Sequence, residues 1–190
     1  MQFSENIWCN QNLIKTLKKN GVVIMPTDTM YGIVGRAENI STVERIYKIR
    51  KRSPKKPCIV LIGDINELEK FGINISDIHN FNLCVQAKSD PVSVILYCPN
   101  ESFAYIHRGT RNIAFRLPSS KSLQDLLMTT GPLIAPSANI EGQPPAQNIR
   151  EARSYFGDKV DLYIDGGDVS GKASKVIRLQ SDGSISILRE

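Results

Sequence analysis

The sequence has few of the residues that bind metals or form disulfides. It contains two histidines, His79 and His107, and four scattered cysteines without a CxxC pair. A metal site made only of histidines needs three of them, and zinc sites and redox motifs place cysteines close together. Four cysteines in 190 residues are also too few for a disulfide scaffold. We therefore expect reduced cysteines packed in the core.

Long apolar runs are absent as well. None approaches the roughly 20 residues that a membrane span needs, and the first residues lack the basic and apolar stretches of a leader peptide. The hydrophobic fraction of 41% and the charged fraction of 23% are those of an ordinary globular protein. We expect a cytoplasmic protein without membrane contact, in which residues 1–190 form a single domain.

Acidic residues are missing from one stretch, residues 45–56, which we call the basic segment. Seven of its twelve residues are Lys or Arg, whereas the whole chain has 24 Lys+Arg and 19 Asp+Glu. Without the basic segment the net charge falls from +5 to −2, since 17 basic residues remain against 19 acidic ones. A general basic coat is therefore excluded, and the sequence indicates one local device that holds negative charge.

The usual motifs of nucleotide-binding proteins and hydrolases are also missing. We find no GxGxxG, HExxH, GxSxG or paired-carboxylate motif. Residues 166–172 fit GxxxxGK, but Ala173 follows where a phosphate-binding loop needs Ser or Thr, and a strand-like run replaces the helix. We interpret this stretch as a glycine-rich loop, and Ser137 as a hydrogen-bonding residue rather than a nucleophile.

Apolar periodicity predicts alternating helices and strands. Helices are expected near residues 13–17, 41–51 (with Ser41 and Glu44 as a capping box), 64–70, 77–87, 120–129 and 148–156. Strands are expected at 22–25, 31–34, 58–62, 92–97, 112–117, 132–135, 160–164, 175–179 and 184–188, the last two joined by a hairpin at Ser181-Asp182-Gly183. This order predicts one mixed α/β domain.

Three polar segments each follow a strand-like run: residues 26–32, the basic segment and residues 135–139. Loops at strand ends build the clefts of α/β sheets, so we expect these segments to meet. Within the basic segment, Lys48, Lys51 and Lys55 are expected on a solvated helix face.

Arg50, Arg52 and Lys56 have no acidic residue at helical spacing except Glu44. Guanidinium groups can grip phosphate oxygens bidentately. We therefore favour a polyphosphate or a nucleic acid as the ligand of the basic segment.

The three segments together resemble the YrdC/TsaC family of threonylcarbamoyl-AMP synthases. The matching residues are Pro26-Thr27-Asp28-Thr29-Met30-Tyr31-Gly32, Arg50-Lys51-Arg52 with Lys56-Pro57, and Ser137-Ala138-Asn139 followed by Gly142-Gln143-Pro144. Their order and spacing agree from about residue 10 to Arg189. The resemblance implies a YrdC/RibB-like fold, in which helices flank a twisted mixed sheet around a deep basic cleft.

The resemblance also implies a reaction. L-threonine, bicarbonate and ATP would give threonylcarbamoyl-AMP and pyrophosphate, and a tRNA-modifying transferase complex would use the product to form N6-threonylcarbamoyladenosine in tRNA. The attacking atom comes from the substrate, so the protein mainly positions groups and neutralises charge. Mg²⁺ would arrive with ATP, without a protein metal site.

Two alternatives stay open. The first is a non-catalytic module that binds double-stranded RNA in the same cleft; it is disfavoured because only Tyr47 among the aromatic residues lies near the cations. The second is a relative that handles carbamoyl phosphate, which ranks last because such domains belong to far larger chains.

The resemblance also assigns roles to individual residues by their positions in the sequence. The implied ATP contacts are Arg52, Lys56, Asn112, Ser137, Asn139 and Arg189, and the implied threonine contacts are Thr29, Arg116, Ala135 and Ser174. Phosphate charge would be stabilised by Arg50, Arg52 and Lys56, with no covalent nucleophile, and Arg116 would bind the threonine carboxylate.

Several positions depart from the pattern of the family, among them three that bear on the site. Arg50 replaces the usual lysine, which keeps the charge but changes its geometry. Leu61 stands where longer relatives have a histidine that touches threonine, and Pro145 where they have a serine that contacts the nucleotide. We expect these changes to affect affinity more than the class of reaction.

Overall fold

The computed structural model describes residues 5–86, 90–180 and 184–190. The α-helices in these ranges are α1 (Gln11–Lys18), α2 (Ile40–Arg50), α3 (Ile75–Gln86), α4 (Ala104–His107), α5 (Lys121–Thr130) and α6 (Ile149–Phe156). The strands are β1 (Val23–Pro26), β2 (Tyr31–Arg36), β3 (Ile59–Leu61), β4 (Val92–Tyr97), β5 (Asn112–Arg116), β6 (Leu133–Ile134), β7 (Leu162–Tyr163), β8 (Lys175–Leu179) and β9 (Ile185–Arg189).

The strands form one sheet in the order β7-β1-β2-β6-β3-β5-β4-β8-β9. The pairs β1/β7, β3/β5 and β4/β8 are parallel, and the remaining neighbours are antiparallel. The predicted mixed sheet flanked by helices is thus confirmed.

Alternating side chains divide the core between the two faces of the sheet. Val23 and Met25 of β1 pack with apolar residues of α1 and α5 on one face. Ile24 points the other way and joins the larger cluster, which includes residues of α2, α3, α4 and α6. Because both faces of the central strands are buried, those strands read as continuous apolar runs in the sequence.

Beyond Leu61, the sheet face that packs against α1 and α5 no longer lies under a helix. Ile59, Ala114, Ile95 and Arg178 are successive cross-strand partners on β3, β5, β4 and β8. These four side chains line a cavity instead of packing under a helix. The sheet therefore provides the floor of the site described below.

Several local predictions need correction. Helix α2 begins at Ile40, and the side chain of Asn39 caps it by accepting a hydrogen bond from the backbone N–H of Thr42. The predicted capping box at Ser41 and Glu44 is therefore wrong. Asn caps helices as well as Ser does, and here Asn39 occupies the cap position.

Two further elements differ from expectation. The segment predicted as a helix at 64–70 is a 3₁₀ helix, Ile65–Phe71, which ends at Gly72 in the left-handed region. The four-residue helix α4 was not predicted, because so short an element has no visible period. The predicted turn at residues 181–183 lies outside the described residues, but β8 and β9 do pair antiparallel.

Among the described helices, none is both long and apolar enough to cross a bilayer.

Candidate active site

A cavity of about 480 Å³ lies on the sheet floor. Its walls come from the β1–β2 loop, the chain entering β3, the 135–137 segment, the chain entering β8, and β9. Its volume lies in the range of small-molecule sites.

Charge of one sign dominates this cavity. Arg52, Arg116, Arg178 and Arg189 all contribute to its lining, and none of the described lining residues carries a carboxylate. Four guanidinium groups around one concave space create a strongly positive potential. The cavity therefore suits a polyanion.

The floor of the cavity is apolar at its centre. Ile59, Ala114 and Ile95 form adjacent cross-strand pairs there, and Val176 lies on the next strand. An apolar floor between charged walls suits a ligand with a flat ring at one end and anionic groups at the other.

The β1–β2 loop is held by the hydroxyl of Thr27. Its Oγ1 donates to the carbonyl of Met30 at 2.8 Å, and the backbone N–H of Thr29 approaches it at 3.4 Å. This network fixes Thr29, which is buried and lines the cavity. The loop thus presents small hydroxyl side chains in a set geometry.

Arg116 reaches the cavity from the end of β5. Its Nη2 lies 2.9 Å from Oδ1 of Asp28, and the side chains of the pair are only 5% and 4% exposed. Burial lowers the pKa of Arg116, the charge of Asp28 opposes this effect, and the nearby charge of Arg189 adds to it. The two arginines are therefore close enough to act on one ligand.

The start of β8 and the end of β9 are joined at the cavity wall. Nη2 of Arg189 donates to the carbonyl of Ser174 at 2.7 Å, and Oγ of Ser174 lies 2.8 Å from Oγ of Ser93. Burial lowers the pKa of Arg189. These contacts orient a cation and a hydroxyl side by side.

Arg52 is the member of the basic segment that lines the cavity. Lys51 takes a left-handed conformation (φ 52°) just beyond α2 and thereby turns the chain. Nε and Nη2 of Arg52 then donate to the carbonyls of Lys56 and Pro57 at 3.1 and 2.7 Å. Two of its three nitrogens therefore anchor the side chain to the backbone.

Arg50 has a different environment. It is 2% exposed and absent from the cavity lining. Its Nε donates to the carbonyl of Asn139 at 3.0 Å, and its Nη2 donates to Oδ1 of Asn139 at 2.7 Å. Burial, together with the charge of Arg52, lowers the pKa of Arg50 to about 10. Its contacts brace the loop that carries Ser137.

Asn139 completes that brace. Its Nδ2 donates to the carbonyl of Gln143 at 2.6 Å, and its Oδ1 accepts a bond from Ser137 Oγ at 2.7 Å. The 136–138 backbone is also tied to β2, where Ile33 donates to the carbonyl of Pro136 and Ala138 donates to that of Tyr31. Ser137 is consequently fixed against Gly32 at the cavity wall.

The remaining cations of the basic segment point elsewhere. Lys48, Lys51 and Lys55 are exposed, but of the three only Lys48 lies on helix α2, since Lys51 follows its last residue and Lys55 lies in the turn beyond it. Lys56 is 64% exposed and forms an ion pair of 2.6 Å with Glu141. Arg45 pairs with Asp161 and with the carbonyl of Lys159.

Most of the residues to which the resemblance assigns a role lie at this cavity. Those that line the cavity are Thr29, Arg52, Asn112, Arg116, Ala135, Ser137, Ser174 and Arg189. Those absent from its lining are Arg50, Lys56 and Asn139. Pro145 also lines the cavity, whereas Leu61 belongs to the core.

Sequence reasoning missed Arg178 and Asp28. The alternation of side chains along β8 could have revealed Arg178, because residues 174, 176 and 178 share a face. Asp28 could have been found only as the acidic member of the Thr-Asp-Thr loop, since its partner is 88 positions away.

The glycine-rich loop at 166–172 has no helix after it, and β8 begins at Lys175. The hydroxyl of buried Tyr31 holds this loop by donating to the carbonyl of Gly167 at 2.9 Å and accepting from the N–H of Gly166 at 2.8 Å. Burial raises the pKa of Tyr31, so the phenol stays protonated and able to donate. Tyr31 thus connects the cavity wall to the chain that leads to Ser174.

No group of three metal-binding side chains occurs within residues 5–86, 90–180 and 184–190. The described lining residues also include no carboxylate, a common ligand of Mg²⁺.

Known proteins share this sequence pattern. The human threonylcarbamoyl-AMP synthase is 27% identical over 170 residues, which cover 88% of this chain and 59% of the human protein. The threonylcarbamoyl-AMP synthase of Bacillus subtilis strain 168 is 29% identical over 87% of this chain and 49% of that protein. A putative threonylcarbamoyl-AMP synthase of Methanocaldococcus jannaschii is 30% identical over 93% of this chain and 85% of the relative. The chain thus spans about half to three fifths of the first two relatives.

Solved structures share the fold. Sua5 of P. abyssi in complex with L-threonine superposes with a TM-score of 0.83 at 24% identity, over 100% of this chain and 55% of that one. YciO of E. coli superposes with a TM-score of 0.79 at 23% identity, over 98% and 90% of the two chains. The profile of the Sua5/YciO/YrdC family, described as telomere recombination, matches residues 15–190. The chain therefore belongs to the Sua5/YciO/YrdC family.

Proposed function

We propose that this chain forms threonylcarbamoyl-AMP and pyrophosphate from L-threonine, bicarbonate and ATP. One observation carries the proposal: four arginines and no described carboxylate line a cavity whose wall also holds Thr29, Ser137 and Ser174. The relatives named threonylcarbamoyl-AMP synthase support it. So does the L-threonine complex of P. abyssi Sua5.

The cavity divides naturally between the two larger substrates. Arg52 and Ser137 would bind phosphate oxygens, with the adenine on the floor of Ile59, Ala114 and Ile95. Arg116 would bind the threonine carboxylate as a bidentate fork. In this arrangement Arg189 would lie near the threonine carboxylate, since it lines the same cavity as Arg116 and its charge acts on that residue.

The chemistry needs no nucleophile from the protein. Bicarbonate takes up a proton and loses water to give carbon dioxide, and the neutral amine of threonine adds to the carbon dioxide and loses a proton, which gives a carbamate. A carbamate oxygen then attacks the α-phosphorus of ATP, a P–O bond forms, and the bond to the β-phosphate oxygen breaks to release pyrophosphate. Fixed cations would stabilise the charge that develops on the phosphates.

Arg50, Lys56 and Asn139 have a less direct part in this proposal. Arg50 and Asn139 would act by holding Ser137 in place, since their polar atoms are bonded to each other and to that residue. Lys56 would reach a phosphate only after leaving Glu141. Mg²⁺ would enter with ATP as part of the substrate.

Pyrophosphate release is the test. The protein is incubated with ATP, bicarbonate and each of the amino acids in turn, and pyrophosphate is measured. Release that depends on both threonine and bicarbonate is the expected result. Salt-sensitive retention of double-stranded RNA with no pyrophosphate release would replace the proposal with the RNA-binding alternative.

The wider setting belongs to the same proposal. Threonylcarbamoyl-AMP is an activated acyl donor, so a transferase that acts on tRNA would have to consume it. We place the reaction in the cytoplasm, where ATP, free threonine and tRNA are present together. We also propose that residues 1–190 act as one YrdC-like domain.

A further inference from the structure

Asp28 lies next to the cavity but outside it. Its side chain is 4% exposed, and it is absent from the cavity lining although Thr27 and Thr29 on either side belong to it. Both of its carboxylate oxygens are buried, and neither accepts a hydrogen bond from a described residue. Among the described residues, Arg116 forms an ion pair with it at 2.9 Å.

A buried carboxylate with so few donors is costly to keep. Removing its charge would leave Arg116 as a buried cation near Arg189, which is costly as well. The ion pair with Asp28 therefore holds the Arg116 guanidinium in place.

The contacts of Arg116 engage one corner of its guanidinium. Its Nη2 contacts Oδ1 of Asp28 at 2.9 Å and Oγ1 of Thr27 at 3.4 Å. Its Nε is buried and has no hydrogen-bond partner among the described residues. Arg116 nevertheless contributes to the cavity lining. A guanidinium held at one corner, with an unused donor, is ready for a carboxylate that approaches from the cavity.

We infer that Asp28 is a positioning residue for the carboxylate of the amino-acid substrate and acts through Arg116. The inference rests on the proposed function, and it adds a specificity element. Asp28 would orient the Arg116 fork for a carboxylate and would have little effect on the binding of ATP phosphates.

The first test is Asp28→Asn, which removes the charge and keeps the shape. KM for L-threonine should rise by about tenfold or more, because a charge-assisted bond loses its alignment. KM for ATP should stay within about twofold of the wild-type value. A variant that is merely less stable would not separate the two constants in this way.

A matched control and a changed substrate sharpen the test. Asp161→Asn makes the same substitution in another carboxylate that pairs with an arginine and is absent from the cavity lining, so it should leave both KM values unchanged. With L-threonine amide, which has no carboxylate, wild type and Asp28→Asn should have equal KM values. A persistent difference on the amide would overturn the inference.

A double-mutant cycle covers the case in which Asp28→Asn folds poorly. Arg116→Gln, which leaves the buried Asp28 without its cation, is compared with Arg116→Gln combined with Asp28→Asn, in which neither member of the pair is charged. If Asp28 acts only through Arg116, the second change should not alter kcat/KM for threonine. An equal loss in both backgrounds would contradict the inference. If the wild-type protein shows no threonine-dependent pyrophosphate release, it is the proposed function that fails, not this step.

Discussion

The basic segment and the arginines of the strands supply positive charge in opposite ways. Seven cations are concentrated in residues 45–56, yet only Arg52 among them lines the cavity. Arg116, Arg178 and Arg189 stand singly on β5, β8 and β9, and all three line it. The local density of charge therefore marks this region of the sequence, but the topology of the sheet determines which cations face the ligand.

The most direct way to test this comparison is Arg52→Ala. We expect ATP binding to weaken by about 1.5–3 kcal/mol, since a charged hydrogen-bonding partner of the phosphates is lost. Lys55→Ala is the matched control, because Lys55 is an exposed cation of the same segment. Calorimetric titration of ATP measures both variants. If Lys55→Ala weakened ATP binding as much as Arg52→Ala, the whole basic segment would act as one unspecific patch.

Arg50→Lys tests whether Arg50 supports the loop that carries Ser137 or binds the phosphates. Lysine keeps the charge but cannot reproduce the bonds from Nε and Nη2 to Asn139. The free energy of unfolding should fall by about 1–2 kcal/mol, as expected for the loss of hydrogen bonds of this kind. ATP affinity should change less than in Arg52→Ala. Denaturant unfolding and the same titration give the two quantities, and the opposite ranking would assign Arg50 to the phosphates.

The smallest effect is expected where the basic segment faces away from the cavity. Hydrogen bonding from Arg45 holds the pKa of Asp161 below its usual 3.8. A lowered carboxyl pKa contributes stability above pH 3.8, and this contribution is lost as the pH falls through the folded-state value. Below pH 3.8 the Tm of the wild type should therefore fall more steeply than that of Asp161→Asn. Parallel curves would show that the pair contributes nothing.

Much of the fold could be predicted because the core strands and helices have clear periods. The short apolar runs of β1 and β2 reflect burial on both faces of the sheet, and the apolar period of α5 reflects the packing of one side of that helix. The order of the strands in the sheet was not predicted. Helix α2 was placed correctly, but its cap was not, since Asn39 and Ser41 both have side chains that can cap a helix. Thr42, whose N–H donates to the side chain of Asn39, is also tied to the carbonyl of Asn20 by its hydroxyl.

The site was harder to predict for a physical reason. Thr29, Arg52 and Ser137 do line one cavity, although Arg52 follows helix α2 and not a strand as the sequence suggested. Motif spacing could not distinguish Arg50 from Arg52, two residues apart, although one is buried under a loop and the other faces the cavity. Nor could it pair Asp28 with Arg116, since their contact arises from the arrangement of two non-adjacent strands.

The row of side chains on the sheet floor has a consequence for how such a site can change over time. Ala114 sits between Ile59 and Ile95 and is the smallest of the three, so it determines the depth of the cavity at that point. The arginines that recognise anionic groups stand at other positions. A single substitution at residue 114 can therefore narrow or widen the space available to the ring of a ligand, while the recognition of anionic groups stays the same.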